Sequence, residues 1–289
     1  MSKIAITTDS NSGILIDEGK SKDLFVLPMP FLVNGEMYFE GVNLSQEQFY
    51  KLLETDASVS TSQPSRGELS EFWNQILKDY DEIVHLPMSS GLSQSCAAAQ
   101  TLAKEFDGRV HVVDNRRISV TLKQSVYDAV RLKELGNSAA EIVEYLERTA
   151  DHSSIYIAVD TMKYLKKGGR VTPAAATIGT ILRVKPVLQI HGATLDKHTL
   201  TRNGAKAKEA MKTAIAKDLR ERFSTFVEND EMALFVAHTN DETNAKALAK
   251  ELQASFPNIP VHYCDPLSLS VSCHIGPGSL AIACARFVK

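Results

Sequence analysis

Strand-like apolar runs and helical patterns take turns along this chain, and that alternation limits its fold more than any other feature. The runs at Lys3–Thr8, Leu24–Pro28, Ile83–Leu86, Val110–Val113, Ile155–Val159, Met232–Ala237 and around Val261–Tyr263 are short and apolar. Helical patterns fall between them. Leu69, Phe72, Trp73, Ile76, Leu77 and Tyr80 recur at three- and four-residue steps, which draws one apolar helix face. Ser45 with Gln48, Ser65 with Glu68, Ser138 with Glu141 and Thr239 with Glu242 read as capping boxes that open helices. Strands alternating with helices predict an α/β fold with largely parallel sheets flanked by helices. Two stretches break the pattern and read as hairpins, one turning at Asn34-Gly35 and one at His191-Gly192. A chain of 289 residues exceeds one comfortable core. Two domains are therefore expected, 1–152 and 153–289, divided near Ala150–Ser154 where a helix gives way to a strand.

Hydrophobic residues at 44% and charged residues at 23% suit a globular protein, and a net charge of −3 gives no electrostatic ground for nucleic-acid binding. Met1-Ser2-Lys3 runs straight into a strand, so no secretory leader is expected. No apolar run approaches the roughly 20 residues of a membrane helix. Cys96, Cys264, Cys273 and Cys284 form no CxxC pair and read as reduced thiols of a cytoplasmic protein, with no metal site expected. No Walker-type phosphate loop is present. Gly276-Pro277-Gly278-Ser279-Leu280-Ala281 matches a relaxed dinucleotide fingerprint. Too little chain follows it to build the remaining βαβ unit, so it reads either as a tight turn before a last strand or helix, or as a turn whose two glycines bring backbone and the adjacent His274 close to a ligand.

Hydroxyl-rich turns carry most of the chemistry. Ser89-Ser90-Gly91-Leu92-Ser93-Gln94-Ser95 joins a strand to a helix. It can be read as a degenerate nucleophile elbow, with Asp265 and His274 as later partners, as a plain helix cap, or as an anion cradle. Similar clusters stand at Ser60-Thr61-Ser62-Gln63-Pro64-Ser65 and at Thr8-Asp9-Ser10-Asn11-Ser12. In parallel α/β sheets, loops that follow strands gather at one edge, where ligands bind. Hydroxyls beside helix N-termini suit a carboxylate or phosphate without a buried cation. Val171–Leu182 reads as an apolar helix with Pro173 in its first turn, rich in residues small enough for close packing or for a slot beside it.

Taken in order, these pieces resemble the DegV family of bacterial fatty-acid-binding proteins. The resemblance rests on Thr8-Asp9-Ser10, Thr61-Ser62-Gln63-Pro64-Ser65, Ser89-Ser90-Gly91-Leu92-Ser93 and Leu165-Lys166-Lys167-Gly168-Gly169-Arg170. It continues through Ala174-Ala175-Ala176-x-Ile178-Gly179, Lys185-Pro186-Val187-Leu188 and His274-x-Gly276-Pro277-Gly278. The resemblance implies two α/β domains with a long-chain fatty acid buried between and within them. It implies an acyl-carrying subunit, without catalysis or cofactor of its own, that presents the carboxylate to a separate kinase subunit. That partner brings ATP and magnesium and makes an acyl phosphate for phospholipid synthesis. Thr61, Ser62, Ser93 and His274 then fall at the carboxylate. Ala174, Ala175, Ile178, Gly179 and Leu182 line the acyl slot, and Arg170 and Arg202 serve phosphotransfer or the partner, with transient contact to a membrane surface allowed. Two stretches depart from the family pattern. Gln94-Ser95 stands where Gly-Thr is common, and Asp114-Asn115-Arg116-Arg117 stands where Asp-Ser and small residues are common. A serine hydrolase using Ser93, and a lipid chaperone or sensor with no kinase partner, are the alternative readings.

Overall fold

Residues Ile4 to Asp9 are buried without exception, which is possible only for a strand covered on both faces. The computed structural model that contains this strand describes residues 2–176, 184–191 and 194–289. The chain parts into two compact units, Met1–Ala150 with Val288–Lys289, and Asp151–Phe287. The last two residues thus belong with the first unit, where the Val288 N–H donates to Asp128 Oδ1 at 2.9 Å.

In chain order the first unit opens with β1 (Ile4–Asp9), α1 (Ile16–Ser21), β2 (Leu24–Leu27), β3 (Pro30–Val33) and β4 (Glu36–Phe39). It continues with α2 (Gln46–Glu54), β5 (Val59–Thr61), α3 (Arg66–Ile76), β6 (Glu82–Leu86) and α4 (Ser95–Ala103). It closes with β7 (Val110–Val112), α5 (Ser119–Glu134) and α6 (Ala139–Arg148). Its main sheet is parallel, in the order β2-β1-β6-β7. Alternate side chains explain the double cover. Ile4, Ile6, Val84 and Leu86 pack with Leu122, Val126 and Ile142 of α5 and α6. Ala5 and Ile83 pack the other way, against Trp73 of α3 and Leu102 of α4. A small antiparallel sheet, β4-β3-β5, stands beside it in sequence. Asn34 and Gly35 take φ of +52° and +86°, as the expected two-residue hairpin requires.

The second unit runs β8 (Ser153–Ala158), α7 (Lys163–Gly168), α8 (Pro173–Ala176), β9 (Lys185–His191) and β10 (Thr194–Thr201). Then follow α9 (Gly204–Glu221), α10 (Ser224–Glu228), β11 (Met232–His238), α11 (Glu242–Ser255), β12 (Val261–Pro266), α12 (Leu269–Ile275) and β13 (Leu280–Arg286). Here the expectation of largely parallel sheets needs correction. The order is β10-β9-β8-β13-β11-β12, and only β11 and β12 pair in parallel. β8, β9 and β10 are antiparallel neighbours in succession. After β12 the seven-residue α12 spans only about 10 Å, against the roughly 20 Å length of that strand. The chain therefore re-enters at the edge where β8 and β11 end, pairing Leu280 with Ala158 and His238, and runs back between them.

The capping boxes at Ser45, Ser65 and Ser138 form as expected. Thr239 does not cap a helix. Its hydroxyl oxygen accepts the Ser279 N–H at 2.9 Å, which ties the loop to the start of β13, and α11 begins after Asp241.

Candidate functional site

Strands β1, β6 and β7 are parallel neighbours, so the loops that leave them share one edge of the first sheet. The loop after β1 spends its polar groups on building that edge. Asp9 Oδ1 accepts the Asn11 N–H and its Oδ2 accepts the Met88 N–H, both at 2.9 Å. Burial pushes the Asp9 carboxyl up to about 6, against the pull of those two amides. Ser10 Oγ accepts the Met29 N–H, Ser12 donates to Asp9 O, and Thr8 donates to Leu86 O. The cluster that could be read as an anion cradle is here a scaffold for the next loop.

That next loop is the serine-rich turn. The Ser89 N–H donates to Arg117 O at 2.9 Å and the Ser90 N–H to Asp114 Oδ1 at 3.3 Å, stitching it to the loop after β7. Ser89 Oγ accepts the Gly91 N–H, and the Ser93 N–H donates to Ser89 O. Half-buried Ser93 accepts the Ser95 N–H on its oxygen at 3.1 Å, which leaves its own O–H to point at something else. Gln94, at the head of α4, makes no side-chain cap. Ser95 Oγ and Asn115 Nδ2 are both buried, and neither has a hydrogen-bond partner among the described residues.

Thr61 ends β5 opposite Phe31 and is half-buried. Ser62 is exposed; its N–H donates to Pro30 O and its O–H to Gln63 O at 3.2 Å. Ser65 caps α3.

In the second unit, His274 sits near the end of α12 with its ring against the backbone of Gly168 in α7. A β-carbon at Gly168 would strike the imidazole, so glycine there is a condition for the ring's position. Gly276 has φ of +75°, and the Tyr164 ring fills the space where its β-carbon would stand. Gly169, in the left-handed region at φ +64°, closes α7. The run Lys166–Arg170 is thus the end of α7, with Lys166, Lys167, Gly169 and Arg170 exposed and Gly168 against His274. Burial, then the Arg170 cation, pull the His274 imidazole down to about 4, so it is neutral near pH 7. Arg170 itself donates to Gly168 O. The structure therefore brings His274 and Arg170 together, while Arg202 is exposed just ahead of α9.

Of the expected acyl-slot residues, Ala175 is fully buried in α8, and its N–H donates to the Thr172 oxygen. Thr172 in turn donates to Asp196, which pins the start of α8 to β10. Ala174 belongs to the same helix, while Ile178, Gly179 and Leu182 lie outside the described residues. Sequence reasoning missed a second set. One face of the second sheet packs Tyr156, Val187, Leu234, Val236 and Ile282 against α9 and α11. On the other face, alternate positions give Ala233, Ala237, Ala281, Ala283 and Ala285, all buried, with Phe235 and Ile155 on either side of Ala283 and Ile157 beside Ala281. The signal was present as the spacing Ala281-x-Ala283-x-Ala285. Among the described residues no helix is long and apolar enough to cross a membrane.

The model of the DegV family, described as an uncharacterised protein family, matches residues 3–286. A DegV domain-containing protein of Deinococcus radiodurans is 31% identical over 284 residues, covering 97% of each chain. A solved DegV family protein of Thermus thermophilus, described by its fatty-acid binding, superposes with a TM-score of 0.86 at 27% identity, covering 99% of this chain and 100% of that one. DegV of Bacillus subtilis, described as a fatty-acid-binding protein, gives a TM-score of 0.86 at 25% identity, with 99% and 100% covered. This chain, matched by the family model over nearly its whole length, belongs to the DegV family.

Proposed function

We propose that this protein binds a long-chain fatty acid and presents its carboxylate to a separate ATP-dependent kinase subunit. Thr61, Ser62 and Ser93 take the carboxylate, with neutral His274 as a further donor. Ala174, Ala175, Ile178, Gly179 and Leu182, together with the alanine face of the second sheet, take the alkyl chain. The observation that carries this reading is Ser93, half-buried, whose oxygen accepts a neighbouring amide and whose O–H has no acceptor among the described residues. It sits in a chain similar over its full length to proteins described as fatty-acid binders.

The energetics suit the task. Burying an alkyl chain contributes about 0.8 kcal/mol per methylene, so a long chain gains on the order of 10 kcal/mol before entropic losses. The head group follows the chain out of water, and a dry anion is costly unless hydrogen-bonded. Neutral hydroxyls replace the lost water without a full counter-charge, which leaves the carboxylate oxygen nucleophilic. Phosphoryl transfer from ATP then needs mainly position and charge stabilisation, supplied by the partner's ATP and magnesium. Arg170 and Arg202 are the cations assigned to the developing phosphate charge or to the partner.

Mass spectrometry of an organic extract tests the first half: a long-chain fatty acid is expected at near-stoichiometric amount. Thr61→Ala and Ser93→Ala are each expected to lower that occupancy, and full occupancy in both would refute the head-group assignment. Acyl phosphate formed only when this protein, a kinase subunit and ATP are combined tests the second half. Bound lipid without acyl phosphate would favour a chaperone or sensor instead.

A further inference from the structure

The second sheet has two faces, and the acyl chain is assigned to the one rich in alanine. The other face holds a cavity of about 480 Å³, in the trough between α9 and α11. Its floor is apolar. Ala158 and Leu280 come from the sheet face that packs against these helices, and Met211 comes from α9. Ala158 ends β8 and pairs with Leu280, which opens β13 and also pairs with His238 at the end of β11. The cavity therefore stands at the edge where β8 and β11 finish. Open α/β sheets bind ligands outside the carboxyl ends of their strands, in cavities of roughly 300–1,000 Å³.

The polar groups around this cavity are unevenly spent. Lys212 of α9 stands 2.6 Å from Glu209 and 3.5 Å from Glu251 of α11, so both of these lining acids are engaged. Lys185 is paired with Asp160, and Asn244 donates to Asp241 at 2.8 Å. Exposed Lys206 and half-buried Lys208 line the cavity with no ion-pair partner among the described residues. Gly204 lies one turn before Lys208 on the same face of α9, and a helical side chain leans toward the turn N-terminal to its own Cα. Lys208 thus overhangs the start of α9. There Asn203 Oδ1 accepts the Lys206 N–H at 3.0 Å, while the Gly204 and Ala205 amides precede the first intrahelical acceptor. A β-carbon at Gly204 would meet nothing within 4 Å, so the space beside these amides is open. A lysine over two open amides, beside an apolar floor, is the donor set for a tetrahedral anion that carries a less polar body.

We propose that this cavity binds an organic phosphate the size of a mononucleotide. The phosphate sits at the start of α9 under Lys208, and the rest of the molecule lies over Ala158, Leu280 and Met211. Asp241 and Asn244, at the start of α11, meet its hydroxyl groups. The site goes beyond the fatty-acid reading: it lies on the opposite face of the sheet and shares no residue with those assigned to the lipid.

Adenosine monophosphate is the probe, titrated by calorimetry into the full-length protein. Wild type should bind it saturably. Adenosine, which lacks the phosphate, and inorganic phosphate, which lacks the body, should each bind at least about tenfold more weakly. Lys208→Ala should lower the affinity for adenosine monophosphate about tenfold, the worth of one charge-assisted hydrogen bond, and leave adenosine unaffected. Gly204→Glu places a carboxylate where the phosphate is assigned. An acid in the first turn of a helix favours folding, so its melting temperature should hold or rise while adenosine monophosphate binding is lost. Fatty acid recovered by extraction should match wild type in both variants. No saturable binding by wild type overturns the proposal, and so does binding that both variants retain. Adenosine bound as tightly as its monophosphate removes the phosphate subsite, and inorganic phosphate bound as tightly removes the subsite for the body; either result overturns it. A loss of fatty acid in both variants would place the cavity in the lipid site and overturn it as a separate one.

Discussion

Gly168 and His274 show how a motif residue acts through a neighbour. The imidazole occupies the space a side chain at 168 would take, so Gly168→Ala must shift the ring or the helix. We expect a loss of about 1–3 kcal/mol in urea unfolding, the usual cost of overpacking, together with reduced fatty-acid retention. The sequence shows Lys166-Lys167-Gly168-Gly169-Arg170 only as a motif; the reason for the first glycine lies on another helix. His85 makes a different point. It is buried, with Nδ1 2.8 Å from Thr7 Oγ1 and its ring edge-on to Trp73, and burial pulls it down to about 3. A histidine whose folded value lies below its unfolded value stabilises the fold above the unfolded value and loses that contribution as pH falls. At about 1.4 kcal/mol per pH unit, this group should remove about 2 kcal/mol between pH 6.5 and pH 5. His85→Gln should flatten the pH dependence of unfolding over that interval by that amount; an unchanged slope would mean that His85 takes up its proton in the folded state.

Among the elements, the β9–β10 hairpin illustrates how an edge is secured. Asp218 of α9 is buried. It accepts the Tyr156 O–H at 2.7 Å, and stands 3.3 Å from Arg222 and 3.5 Å from His191 at the end of β9. Burial alone would raise its carboxyl, but hydrogen bonds from His191, Ser154 and Tyr156, and the Arg222 charge, hold it well below the usual carboxylate range. The α9 helix is thereby fastened to β8 and β9. Asp218→Ala should cost about 1–3 kcal/mol, because it leaves the buried Tyr156 hydroxyl without its acceptor, while Arg222 and His191 are partly open to solvent. Hydrogen exchange at amides of β8 and β9 should speed up, with α3 and β6 unchanged; equal acceleration everywhere would point to global destabilisation only. Helix starts of this kind were legible where the cap is local, as at Ser45, Ser65 and Ser138. Thr239 misled because its oxygen found a partner 40 residues away in sequence, the Ser279 N–H.

Across the whole molecule, the alanine face of the second sheet is where a ligand hypothesis makes its bulk demand. If an acyl chain lies there, Ala283→Phe should shorten the longest fatty acid recovered by extraction and mass spectrometry without abolishing head-group binding. An unchanged chain-length profile would remove that face from the site. The sequence by itself determined the α/β alternation, the two hairpins and most helix starts, because these depend on periodicity and on contacts a few residues apart. It also carried the family, since short motifs survive in order along the chain. Tertiary structure alone decided the rest. The second sheet is mixed because β8, β9 and β10 pair antiparallel in succession and the short α12 brings β13 in between β8 and β11, antiparallel to both. The serines after β1 build a scaffold while Ser93 keeps a free proton, because each hydroxyl's role depends on which distant amide or carbonyl reaches it first. Hydrogen-bond satisfaction is settled in three dimensions, and a string of hydroxyls records only the supply of donors, not where they are spent.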